Sequence, residues 1–153
     1  KANHGRISLE IQEPALTDEI MDLYDRFHAE RSYSRDWPAK EDEDAFSFDC
    51  SFLDNPFPVE QWMYRENGRL CGVGYVDGLK CGLSAIYFFH DPNFYSHGIG
   101  IWNVMSLINE AKRRGLPHVY MGYYVKGCQS LEYKAGFKPN EILSLAGKWV
   151  PYS

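Results

Sequence analysis

No apolar run in the chain approaches the about 18 residues that a membrane-crossing helix needs, and the opening residues Lys1 to Asn3 do not begin a signal peptide. No membrane partner is expected, and the cytoplasm is the expected location. Positive charge is also short: 16 Lys and Arg stand against 21 Asp and Glu, for a formal net charge of −5. That excludes the overall basic footprint of a stand-alone nucleic-acid binder and leaves a local basic patch open. The four cysteines, Cys50, Cys71, Cys81 and Cys128, form no C-x-x-C pair and have no histidine companion at zinc spacing. Reduced, mostly buried thiols and no metal site are the expectation. Repeats, low-complexity tracts and linkers are missing too, so residues 1–153 are expected to form a single domain.

Aromatic residues, by contrast, are plentiful. Eleven Tyr and nine Phe raise the aromatic share to 16%, which implies a core or cleft lined with rings, some carrying hydroxyls that need partners when buried.

Arg6 to Gln12 alternates apolar and polar residues, the period of a half-buried strand. Thr17 is placed to cap a helix with Asp18 and Glu19 in its first turn, where the dipole favours acid. Ile20, Leu23, Tyr24, Phe27 and Arg31 recur at helical spacing, and Ser32 to Pro38 reads as a loop. Ala45, Phe46, Phe48 and Phe52 suggest a second helix. Gln61 to Arg65 and Leu70 to Val76 read as strands joined through Asn67-Gly68, a hairpin pair that tolerates positive φ. Asp77-Gly78 reads as a further turn, and Leu83 to Phe89 as a strand apolar on both faces, hence central.

His90-Asp91-Pro92 ends that strand in a turn. A helix follows Gly98-Ile99-Gly100, with Ile101, Val104, Met105, Ile108 and Ala111 inward, and Arg113-Arg114-Gly115-Leu116-Pro117 closes it. Val119 to Tyr123 reads as a strand that turns at Gly127 into a short helix, and Lys138 to Trp149 as the completion of the sheet, with Ala146-Gly147 as a turn or bulge. The order predicts an α/β (α+β) domain: a mixed central sheet with helices on both faces.

Backbone amides at a helix start, unobstructed by side chains, suit a phosphate, so His97, Gly98, Ile99 and Gly100 are candidate donor-binding residues. A tight strand-to-helix turn explains the same glycines. Gly98-Ile99-Gly100 and Tyr133-Lys134-Ala135-Gly136-Phe137 together resemble the nucleotide-binding helix and the Tyr-x-x-Gly-Phe segment of GNAT-fold acyltransferases. That implies acetyl-coenzyme A as an alternative donor, in an N-acetyltransferase.

A fuller resemblance runs from about Glu13 to Leu143. Leu23 to Arg31, Asp77-Gly78 with Gly82 to Tyr87 and Asp91-Pro92, Gly115 to Tyr124, and Gly127-Cys128 with Tyr133 to Pro139 are similar to the C-terminal domain of arginyl-tRNA–protein transferases and their bacterial leucyl-transferring relatives. The family's cysteine-rich N-terminal domain has no counterpart in these residues. The resemblance implies a GNAT-like catalytic fold that moves an arginyl or leucyl group from charged tRNA to the N-terminal amine of an acceptor protein. Aminoacyl-tRNA is then a co-substrate, with no other cofactor. A domain that binds N-terminal peptides without catalysis is the remaining alternative.

Such a reaction needs an oxyanion stabilised and the leaving ribose oxygen protonated. Tyr133, at the superfamily's tyrosine position, is the candidate acid, and Tyr123 a candidate positioning residue in the same site. Lys126 and Lys134 are candidates to hold tRNA phosphate or an acidic acceptor residue; His28 and Arg31, one helical turn apart, are candidates for an acceptor carboxylate. Cys128 begins the short helix but is expected to be a packed thiol, because direct aminolysis needs no covalent intermediate.

Overall fold

The computed structural model describes residues 7–35, 48, 51–53 and 56–152. They fall into two compact units, Lys1–Tyr120 and Met121–Ser153.

The first unit is built on a five-stranded sheet in the order β1 (Ile7–Gln12), β2 (Val59–Glu66), β3 (Arg69–Leu79), β4 (Gly82–His90), β5 (His118–Tyr120). The first four run antiparallel to their neighbours and β5 pairs parallel to β4, so the sheet is mixed, as expected. Helix α1 (Asp18–Arg35) supplies Ile20, Leu23, Tyr24 and Phe27 to one core, against Met63, Val73, Tyr75 and Phe89. Helix α2 (Ile99–Arg113) supplies Ile99, Leu107 and Ala111 to a second core, against Trp62, Tyr64, Val76 and Leu83. Neighbouring residues of one strand, Trp62 and Met63, belong to different cores because successive side chains point to opposite faces. Both faces of the sheet are therefore covered by helices.

Two register shifts preserve that division. One lies where Tyr64 and Arg65 face Gly72 and Leu70, leaving Cys71 as the extra residue. The other lies where Tyr75 and Val76 face Tyr87 and Ala85, leaving Ile86 extra. Each inserted residue reverses the in-out parity. Leu70 and Val73 thereby share one core, while Ala85 and Phe88 both pack on the other.

Local signals account for the ends of several elements. Thr17 Oγ1 accepts the Ile20 N–H at 3.4 Å. Asn67 and Gly68 take φ of 50° and 84°, the conformation a two-residue hairpin turn requires. At the end of α2, Gly115 N–H bonds to Lys112 O and Leu116 N–H to Ala111 O. That is the Schellman arrangement, with Gly115 at φ 70°.

Five expectations are corrected. Ser32 to Arg35 continue α1, since no Gly or Pro interrupts them; the rest of that proposed loop lies outside the described residues. Asp77-Gly78 is strand, held by the Gly78 N–H to Pro58 O bond at 2.9 Å, and the turn falls at Lys80-Cys81. The most buried strand is β3, third of five, rather than β4. On α2, Asn103 and Leu107 face inward with Val104 and Ala111, whereas Ile101 and Met105 are exposed. The cause is polar: Asn103 Oδ1 accepts the buried Tyr64 hydroxyl at 2.8 Å, which rotates the face. Finally, the parallel strand stops at Tyr120, and the last strands do not join the large sheet. Of the second predicted helix, Phe48, Ser51 and Phe52 are helical, while Ala45 and Phe46 lie outside the described residues.

Gln61 is fully buried on β2. Its amide oxygen accepts from Ala15 N–H at 3.0 Å and from Gln12 Nε2 at 3.1 Å, and its nitrogen donates to Ala15 O at 2.9 Å and Tyr75 Oη at 3.0 Å.

The second unit contains the short helix α3 (Gln129–Glu132), a 3-10 turn over Tyr133–Gly136, and an antiparallel hairpin of β6 (Glu141–Leu143) and β7 (Trp149–Pro151). The Ala146-Gly147 turn is present, with Gly147 at φ 70° and its N–H bonded to Ser144 O. No helix among the described residues is long and apolar enough to cross a membrane.

Candidate active site

In the first unit the candidate donor site lies beyond the end of β4. Asp91 leads into a 3-10 turn over Pro92–His97, and Gly98, at φ 67° and ψ 32°, delivers the chain into α2. Only glycine adopts that left-handed conformation without cost. No side chain caps the helix and its first turn carries no acid. A Cβ built on Gly98 or Gly100 would meet nothing within 4 Å. The backbone there is unobstructed, as an anion cradle requires. Ile99 contributes backbone alone, because its side chain is 1% exposed and packs in the core. The His97 side chain lies outside the described residues.

Asp91 itself was read only as a turn residue. It is a buried carboxylate whose Oδ2 accepts from Arg26 Nη1 at 2.9 Å and Arg69 Nη2 at 2.5 Å, while Oδ1 accepts from the Asn93 backbone and side-chain amides at 3.0 and 2.9 Å. Burial raises its pKa, but the Asn93 amide and the two guanidiniums outweigh that and hold it below the ordinary value. The signal was available: an Asp directly before Pro at a helical start is a capping residue followed by the favoured first position.

His28 and Arg31 stand on α1 one turn apart. His28 Nε2 is 3.0 Å from the Tyr87 hydroxyl, and the Arg31 guanidinium lies 5.0 Å from the centroid of the Phe27 ring. Arg31 Nε is 3.8 Å from Glu30. Both side chains are half-buried and already engaged with the aromatic layer under α1. Orienting a carboxylate would draw on groups preset by those rings.

In the second unit, the turn at Gly127 has φ 79° and is closed by the Cys128 N–H to Val125 O bond. Cys128 is the N-terminal cap of α3, its carbonyl accepting from Leu131 and Glu132. Lys126 is exposed on that turn, and Tyr123 is 86% exposed. Lys134 differs from the free surface lysine that a phosphate contact suggests: its Nζ donates to Met121 O at 2.7 Å and Tyr123 O at 3.1 Å. It braces the bend at Gly122, whose φ is 72°, and burial lowers its pKa. Tyr133 is the C-terminal cap of α3 and the first residue of the 3-10 turn, 41% exposed and edge-on to Phe137 at 6.3 Å. Burial raises its pKa above 10.0, so the phenol keeps its proton at neutral pH. Tyr124, the neighbour over which the sequence favours Tyr123, accepts the Tyr152 hydroxyl at 2.8 Å.

Cys71 is buried, Cys81 exposed and Cys128 half-buried, none in a disulfide. Burial pushes the Cys71 thiol up to about 11, which makes it inert. Among the described residues no group of three or more His, Cys, Asp or Glu could hold a metal ion.

The fold is similar to that of a ribosomal-protein-alanine N-acetyltransferase from Brucella melitensis biovar Abortus, with a TM-score of 0.59, 14% identity, and coverage of 96% of this chain and 95% of that one. The expected GNAT-like architecture is borne out. In sequence, the chain is 36% identical to an aspartate/glutamate leucyltransferase of Campylobacter jejuni over 135 residues, 87% of this chain and 56% of the relative. It is also 36% identical over 139 residues to one of Pseudomonas fluorescens, covering 90% of this chain and 57% of the relative. The chain thus spans little more than half the length of these relatives. Residues 19–144 match the family described as arginine-tRNA-protein transferase, C terminus, a span that takes in the Gly98 turn and the Tyr133 turn alike, and the chain belongs to that family.

Proposed function

We propose that this chain is the catalytic part of a cytoplasmic enzyme that transfers an aminoacyl group from charged tRNA to the N-terminal α-amine of an acceptor protein. The observation that carries the reading is the family match over residues 19–144, which includes every residue given a part in the transfer reaction. The names of the relatives favour leucine as the transferred group and Asp or Glu as the accepting N-terminal residue.

An α-amine has a reference pKa of about 7.7 to 8.0, so a useful fraction is neutral near pH 7. The ester of an aminoacyl-tRNA is already activated. What remains is to align amine and carbonyl, stabilise the tetrahedral oxyanion and protonate the departing ribose oxygen. The amides of Gly98, Ile99 and Gly100 suit the phosphate-bearing donor. Tyr133, protonated at neutral pH, suits the last role, and Tyr123 positions the donor ester. His28 and Arg31 suit the acceptor's acidic side chain. To the Gly98-Ile99-Gly100 resemblance that raises coenzyme-A-dependent acetyl transfer, the comparisons add structural likeness, and at 14% identity that likeness carries fold and not chemistry.

The test is to incubate the chain with peptides beginning in Asp, Glu or Ala and with leucyl-tRNA, arginyl-tRNA or acetyl-coenzyme A, each labelled in the acyl group. Label moving from leucyl-tRNA to the Asp and Glu peptides is expected. Label moving only from acetyl-coenzyme A, or from none of the three, would overturn the reading.

A further inference from the structure

Charge is divided unevenly between the two units. Residues 121–153 carry four lysines against two glutamates, whereas residues 1–120 carry twelve Lys and Arg against nineteen Asp and Glu. The net charge of −5 therefore conceals a small unit of positive sign. Lys134 is turned onto backbone carbonyls, but Lys126, Lys138 and Lys148 are exposed. Large aromatic surface is exposed in the same unit: Tyr123 at 86% and Trp149 at 51%. Trp149 lies directly across the hairpin from Leu143, which is also exposed. A cross-strand apolar neighbour holds such a ring in place.

Exposed lysines interleaved with exposed aromatic rings are the combination that grips single-stranded nucleic acid: ammonium groups follow the phosphates and rings stack on bases. An acidic peptide would satisfy the lysines and make no use of the ring surface that Trp149 and Tyr123 expose. We propose that the unit Met121–Ser153 is the surface that binds the single-stranded end of the RNA, through Lys126, Lys138 and Lys148 on phosphates and Trp149 and Tyr123 on bases. The proposal takes from the function above only the identity of the RNA. The scale fits. A compact unit of this length has a radius of gyration of about 8 Å, and at about 3.4 Å per nucleotide its diameter spans roughly five nucleotides.

The test measures fluorescence anisotropy of a labelled single-stranded RNA of about eight nucleotides with the full chain, from about 50 to 200 mM salt. Three variants are compared: Lys126→Ala/Lys138→Ala/Lys148→Ala, Trp149→Ala, and the control Lys80→Ala/Lys112→Ala, which removes exposed charge from the other unit. The triple variant should shallow the log–log salt dependence by about 2, at about 0.7 for each lost phosphate contact. Trp149→Ala should weaken binding by about 5- to 150-fold and reduce the preference for this RNA over an abasic strand of equal length, Tyr123 keeping the remainder. The control should match the parent, and all variants should unfold at the parent temperature.

The proposal is overturned if the parent does not bind the strand, if the control loses more than the triple variant, or if a glutamate-rich peptide displaces the RNA at equal concentration. Leucyl transfer, measured separately, distinguishes the two readings. Transfer that persists with RNA binding unchanged in the triple and Trp149 variants sinks this surface and leaves the function standing. RNA binding that depends on these residues without any transfer supports the surface and sinks the function.

Discussion

Arg26 on α1 and Asp91 at the end of β4 are joined by a 2.9 Å charge-assisted hydrogen bond, and the carboxylate is wholly buried while the guanidinium reaches solvent. This pair, with Arg69 from the β2–β3 hairpin, fastens three elements at the point where the chain leaves the sheet for the Gly98 turn. Asp91→Ala should destabilise the protein by about 3 kcal/mol, since it leaves two guanidiniums and the Asn93 amides without their acceptor. Arg69→Ala should cost less, because Arg26 still neutralises the carboxylate. The native pKa of Asp91 is depressed below its ordinary value of 3.8. Its contribution is therefore fully present above about pH 4 and is lost as pH falls through the native value. Urea unfolding between pH 3 and 7 should show that loss in the parent and a flatter profile in Asp91→Ala.

Tyr133→Phe should lower kcat for leucyl transfer by about 100-fold if the phenol delivers the proton, with no change in unfolding temperature. The parent rate should rise as the acceptor amine deprotonates near pH 8 and should not fall until above pH 10, because burial lifts the phenol pKa beyond 10.0. A variant rate equal to the parent's removes Tyr133 from the chemistry.

Lys134→Met keeps the stem and deletes the ammonium that bridges Met121 O and Tyr123 O. About 2 kcal/mol of local stability should go with it. Amide hydrogen exchange should accelerate at 121–124, with the strands of the first unit unchanged. Equal protection at those amides would show that the bend at Gly122 holds without the bridge.

Two glycines should respond in opposite ways. A Cβ on Gly82 would lie 2.6 Å from His118 O and 2.9 Å from Tyr120 Cε2, so Gly82→Ala should part β5 from β4 and cost about 1–3 kcal/mol. At Gly100 nothing lies within 4 Å, and Gly100→Ala should leave stability unchanged or raise it by up to about 1 kcal/mol. If those amides hold the donor as proposed, leucyl transfer should nevertheless fall, because a methyl group would shield them. Thermal melts paired with the transfer assay read both effects.

What was legible in the sequence was what depends on a few adjacent residues. Asn67-Gly68 gave the hairpin, Thr17 the cap and Gly115-Leu116-Pro117 the helix stop, each through one conformational demand. What was missed depends on partners distant in sequence. Gly78 stays in its strand because Pro58 O takes its N–H, and the inward face of α2 is set by Tyr64 reaching for Asn103. Around the candidate residues, local structure was legible: Gly98 turns the chain into α2 and Tyr133 follows the short helix α3. Lys134 instead braces backbone, since its accepting carbonyls belong to residues eleven and thirteen positions earlier.

The edge strand β1 has no hairpin to fix where it lies against β2, for all of α1 intervenes between them. A slip of one residue would turn Ile7, Leu9 and Ile11 from the core to water. The Gln61 side chain forbids it, because its amide clasps Ala15 on both the donor and the acceptor side, as a further length of strand would. Alignment of the outermost strand is thus written in a single buried amide, and conversion of that amide to a carboxylate would turn the attraction toward Ala15 O into opposition between two acceptors, while the Tyr75 hydroxyl can turn to donate.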